Sequence, residues 1–167
     1  MKWGWTVLAA ALVAAPAIAE ETKVYGDWAV NVERDRFGDA SANKTIAIRV
    51  QAGNILAVRC FPKGLSVALI ESRLGSGRFE EGMLFGVKFR ADEKSVIDTA
   101  GVGLDDKIIQ VDDSNSIVAQ MVGAKEYAFR VTYKSVTFDK VFTAGKGAKQ
   151  ALDVVLKACP LPKAKGA

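Results

Sequence analysis

Along most of the chain apolar and polar residues alternate one for one, the period that places every second side chain on the same face of a β-strand. Trp28, Val30 and Val32 alternate with Asp27, Ala29 and Asn31, and Ile46, Ile48 and Val50 alternate with Thr45, Ala47, Arg49 and Gln51. Ala52-Gly53-Asn54 turns the chain into a third run, Ile55 to Phe61, where Leu56, Val58 and Cys60 share a face. Gly and Asn both accept the positive φ of a tight hairpin, which suits that turn. Pro62-Lys63-Gly64 makes the next turn, and Leu65, Val67 and Leu69 continue the series. Four such runs in succession predict an antiparallel meander. Later runs are Met83 to Phe89, shorter ones at Ser95 to Asp98 and Lys107 to Val111, then Tyr127 to Tyr133 and a weaker one at Val136 to Lys140.

Two segments change period. Asp112-Asp113-Ser114 offers side chains that accept hydrogen bonds from the free amides of a helix start, and predicts a short helix through Val122. Ala148, Ala151, Leu152, Val155, Leu156 and Cys159 form a single helical face that Pro160 ends, with Lys157 in the last turn where the helix dipole favours a cation. The whole pattern predicts a mainly β protein. Its form is an antiparallel β-sandwich-like domain with a C-terminal α-helix and one short internal helix.

The first residues fit neither period. Lys2 is followed by an uninterrupted Ala, Val and Leu run from Val7 to Ala15, and Ala17-Ile18-Ala19 sets small residues two positions apart ahead of Glu20. That is the form of a secretory signal peptide over 1–19, cleaved after Ala19, and the location expected is periplasmic or secreted. The run is too short to cross a bilayer core of about 30 Å as a helix, so no membrane span is expected. No cysteine follows the cleavage site to carry a lipid anchor. A single domain over 20–160 and a flexible tail over 161–167 complete the partition.

Export changes the meaning of the two cysteines. In an oxidising compartment Cys60 and Cys159 have one intramolecular pairing open to them, a disulfide that staples the terminal helix onto the third strand. Composition narrows the chemistry further. The 167 residues are 50% hydrophobic and 25% charged, with a formal charge of +4 and no histidine. So small an excess of base is no nucleic-acid footprint. Without histidine there is no Ser-His-Asp or Cys-His set, and the usual nitrogen ligand of transition metals is missing.

The remaining motifs carry little. Asp105-Asp106 and Asp112 to Asn115 lack the alternating calcium-loop pattern, so they read as capped turns, and no metal or cofactor is expected. Gly101-Val102-Gly103 and Gly145-Lys146-Gly147 lack the rest of a phosphate loop. An anion at the start of the terminal helix near Lys146 is the weaker reading beside a plain glycine-rich helix entry. Glu71 with Glu80 or Glu81 offers a carboxylate pair of little specificity. Lys146, Lys149, Lys157, Lys163 and Lys165 make the C-terminal end basic, allowing weak contact with an anionic surface. Arg59 beside Cys60, and Arg90 two residues before Asp92, stand near strand ends and are the binding candidates, Arg90 and Asp92 falling on one side of an extended segment.

These positions also carry a resemblance. Gly26-Asp27-Trp28-x-Val30, Leu56-x-Val58-Arg59-Cys60, Val87-x-Phe89-Arg90-x-Asp92, a late strand ending in Phe142, a helix with Ala151-Leu152, and Cys159 make the mature chain similar to the small exported VasI-like proteins associated with type VI secretion. More distantly it resembles the invasion-associated locus B group, although a second cysteine pair of that kind is missing. The resemblance implies a periplasmic β-rich domain with one structural disulfide, acting as an accessory protein of the envelope, and it transfers no binding or catalytic role to Arg59 or Arg90. The expectation is thus an exported, non-enzymatic binding protein with an unidentified envelope or secreted partner, linked to secretion or host interaction. Two alternatives stand beside it: an inhibitor that presents the 73–81 loop to a target enzyme, and a hydrolase or lyase uniting Glu71, Glu80 or Lys88.

Overall fold

The computed structural model describes residues 20–71 and 79–162. The expected signal peptide, residues 72–78 of the connection after Glu71, and the end of the tail lie outside the described residues. Ten strands follow in chain order: β1 (Glu21–Tyr25), β2 (Trp28–Glu33), β3 (Lys44–Gln51), β4 (Asn54–Phe61), β5 (Gly64–Glu71), β6 (Leu84–Ala91), β7 (Ile97–Gly103), β8 (Ile108–Val111), β9 (Glu126–Tyr133) and β10 (Val136–Thr143). Helix α1 (Ser114–Met121) separates β8 from β9, and α2 (Ala148–Ala158) follows β10.

All ten strands belong to one antiparallel sheet, in the order β1-β2-β3-β4-β5-β8-β7-β6-β9-β10. The expected meander is β2 to β5, extended at its edge by β1. After β5 the chain passes over two strand positions to β6, returns through β7 and β8 to pair with β5, and crosses back by way of α1 to set β9 beside β6. Strands β2 to β10 contribute side chains to a single core that both halves share: Trp28, Leu56, Val58 and Val67 from the first, Phe89, Ile109, Phe129 and Phe142 from the second. The sheet therefore folds over on itself, which makes the architecture sandwich-like.

Side chains close the fold. Arg49 Nε donates to the Thr143 carbonyl at 3.1 Å, Gln51 Nε2 donates to the Val141 carbonyl at 3.4 Å, and the Thr143 amide donates to Gln51 Oε1 at 2.9 Å. These bonds from β3 occupy backbone groups on the free edge of β10, where an unpaired strand would otherwise invite another chain. Next to them Lys140 forms an ion pair with the buried Glu71 and donates to Asn54 Oδ1 at 2.7 Å.

The disulfide is present, with Cys60 and Cys159 at 2.06 Å, and it holds the end of α2 against β4. The start of α2 is interlocked with the first hairpin. Trp28 Nε1 donates to the Ala144 carbonyl at 2.7 Å, and the Asp27 amide donates to the Lys146 carbonyl at 2.9 Å. Gly147 is left-handed at φ 83°, and a Cβ there would lie 1.9 Å from the Tyr25 carbonyl oxygen. Only glycine permits both the turn and the approach.

Three local expectations change. β1 was not foreseen, because Glu21 to Tyr25 has no buried face and is held by its backbone pairing with β2. β7 runs on to Gly103, well past Asp98. A Cβ at Gly101 would lie 3.0 Å from the Gln110 carbonyl oxygen and one at Gly103 would lie 2.6 Å from that of Glu80, so tight packing of a strand, rather than a loop, demands these glycines. At α1 no acidic side chain caps the amides. Asp113 is left-handed and takes the Ser116 hydroxyl instead, while Ser114 Oγ accepts from the Val67 amide at 2.9 Å.

Candidate functional site

Strand register decides which of the candidate residues meet. On the face of β6, β9 and β10 that points away from the core, Asp98, Lys88, Arg130 and Asp139 line up in one row across four strands. The row is internally neutralised: Lys88 Nζ lies 3.0 Å from Asp98 Oδ2, and Arg130 holds Asp139 through two bonds of 2.8 Å. The hydrogen bond from Arg130 keeps the Asp139 carboxyl below its usual range, and the same bond raises Arg130.

The adjacent row is different. It places Arg90 beside Ala128 and Ala128 beside Val141. Ala128 is short, so its larger neighbours stand around a depression of about 250 Å³ lined by Lys88, Arg90, Val96, Ala128, Arg130 and Val141 among others. Arg90 is exposed and makes no ion pair or side-chain hydrogen bond among the described residues. A guanidinium is permanently charged and presents a planar fork of donors, so it recognises carboxylates and phosphates and does not serve as a base. The groove is a cation over an apolar floor.

Asp92 does not join Arg90. It turns to φ 49°, and its carboxylate accepts from the Lys125 amide at 3.0 Å and the Glu126 amide at 2.8 Å, pinning the start of β9 to the end of β6. The extended geometry that would set the two on one side ends at Ala91. Arg59 lies elsewhere, on β4, where Nη2 donates to Ser66 Oγ at 2.7 Å and Gln110 Oε1 at 3.1 Å.

The groups of the hydrolase alternative are also apart. Glu71 is buried against Lys140 on the core side, beside a space of about 10 Å³, close to the least that holds one water. Lys88 faces outward with Asp98, and Glu80 uses its carbonyl to hold the Met83 amide. Of the 73–81 loop, Phe79 is buried edge-on against Phe85 at 5.2 Å, and 73–78 lie outside the described residues. At the start of α2 the Lys146 amide already bonds Asp27 Oδ2 at 2.9 Å, so the protein's own carboxylate takes the position considered for an anion. Lys149 is paired with Asp153 on the same helix.

Sequence reasoning singled out Arg90 from its place at a strand end, but missed Ala128, Arg130 and Val141. Their grouping depends on β9 pairing with β6, two elements separated by β7, β8 and α1, and no local period records that. Compared with protein-family models, with curated proteins and with solved structures, the chain matches none.

Proposed function

We propose that the protein is an exported, non-enzymatic binding or accessory component of the bacterial envelope, and that its ligand sits in the groove of β6, β9 and β10. The observation that carries this reading is Arg90. In a region where the neighbouring cations are matched by Asp98 and Asp139, it is the one lining cation without a partner among the described residues, over a floor of Ala128 and Val141. The ligand class that fits is a carboxylate or phosphate attached to an apolar body. The Cys60–Cys159 bond is compatible with work in an oxidising compartment. The resemblance to VasI-like proteins supports an accessory role tied to secretion or host interaction.

A photo-reactive benzoylphenylalanine placed at Val141 in the full chain, irradiated in intact cells, tests this. A defined adduct at Val141, absent from a control at the exposed Val24 and reduced at least tenfold by Arg90→Glu, is the expected result. An adduct that ignores Arg90→Glu, or that forms equally at Val24, overturns the assignment of the groove.

A further inference from the structure

The outward faces of the two sheet halves differ in kind. Over β6, β9 and β10 the face is charged and largely paired. Over β3, β4, β5 and β8 the register aligns Val50, Ile55, Ile70 and Ile108 in one row. The next row is Ile48, Ala57, Ala68 and Gln110, and the third is Ile46, Arg59 and Ser66. These positions alternate with the core residues Ala47, Leu56, Val58, Val67, Leu69 and Ile109, so they point away from the core. An antiparallel sheet with one solvated face carries polar residues there. Ala57, Ala68 and Ser66 in its middle are buried, the isoleucines around them are half-buried and Val50 is exposed, so what this face offers to another molecule is aliphatic.

Arg59 stands inside that face. It is only 8% exposed. Its two hydrogen-bond acceptors, Ser66 and Gln110, are neutral, and the Phe61 ring lies 5.2 Å below its guanidinium carbon. Its Nε is buried with no partner, and no carboxylate of the described residues forms an ion pair with it. Loss of water pushes the guanidinium below its ordinary value. A charge removed from water is held at a cost that a counter-charge offsets, and here the protein provides the desolvated cation without the anion.

We infer that this face docks a second protein, which lays an aliphatic segment across the isoleucine rows and brings a carboxylate to Arg59. Charge settles the choice of occupant. The three rows contain no acidic residue, so two copies of the chain placed face to face would bury two guanidinia and offer neither a partner. Arg59 is distinct from the Arg90 groove: β5, β8 and β7 lie between β4 and β6, and β3 lies between β4 and β10.

The test uses the mature protein with labelled isoleucine methyl groups and two blocked peptides, acetyl-Leu-Val-Glu-Val-Leu-amide and its Gln counterpart. The expected result is that the methyls of Ile46, Ile48, Ile55, Ile70 and Ile108 shift on titration while those of the core residues Ile109 and Ile117 stay fixed. The Glu peptide should bind at least tenfold more tightly than the Gln peptide, and Arg59→Met should abolish that difference while retaining Gln-peptide binding. Unmoved Ile109 and Ile117 methyls report that the variant is folded. Should Arg59→Met not fold, the wild-type preference for Glu over Gln decides alone. Equal binding of the two peptides, no shift on this face, shifts that appear with protein concentration alone, or response only to phosphatidylglycerol vesicles overturns the inference.

Discussion

Tyr127 shows how little a residue's type says about its environment. Its ring is fully buried in the core, as an aromatic at an alternating strand position should be, yet its hydroxyl has no hydrogen-bond partner. Burial, with the Asp92 carboxylate as a smaller influence, pushes the phenol up to about 12. Two consequences follow. Near neutral pH, Tyr127→Phe removes an unsatisfied polar atom and leaves the packing in place, so the variant should be more stable than wild type by about 1 kcal/mol in urea unfolding. At high pH the unfolded chain loses the phenol proton near the ordinary value of 10.0, while the folded chain keeps it. The contribution of Tyr127 is then whole below about pH 10 and lost as pH rises towards about 12, because the unfolded state holds fewer protons in that window. Tyr127→Phe should flatten this alkaline decline. A variant less stable at neutral pH, or one with an unchanged decline, would show that the hydroxyl has a partner after all.

Helix α2 was legible almost to the residue, since a 3.6-residue apolar face ending at Pro160 has no competing interpretation. Strands β2 to β5 were equally plain, because each alternates and each turn carries the glycine, proline or asparagine it needs. What local pattern did not carry was the order of the later strands, and with it the Arg90 groove and the isoleucine face, both of which exist only as rows across paired strands. Asp92 illustrates the same limit: two residues beyond Arg90 the backbone leaves the extended region, and a side chain expected beside it turns to cap another strand. The staple on α2 makes an energetic claim at this level. Cys60 and Cys159 are 99 residues apart, and on the chain-entropy model closing a loop of that length restricts the unfolded chain by about 4 to 5 kcal/mol. Cys60→Ser with Cys159→Ser should lower the unfolding free energy by about that much. Amide protection should be lost first in α2, whose buried residues Ala151, Leu152 and Val155 then hold it alone. Equal loss across β6 and β9 would mean that the bond serves the whole sheet rather than this helix.

Taken whole, the molecule is one sheet closed upon itself, with side chains of β3 covering the free edge of β10 and a helix tied down at both ends. Glu71 and Lys140 hold each other inside the seam and join β5 to β10. The outside is left with two unlike faces, one charged with a single unmatched arginine, the other aliphatic around a buried one. The proposed binding role draws on both, and it presupposes that the protein matures where its cysteines oxidise. Intact mass analysis of the protein recovered from the periplasmic fraction tests that premise most directly. The account predicts a chain that begins at Glu20 and lacks the two thiol hydrogens. A chain that begins at Met1, retained in the cytoplasm with Cys60 and Cys159 both free to react with a thiol reagent, would contradict it.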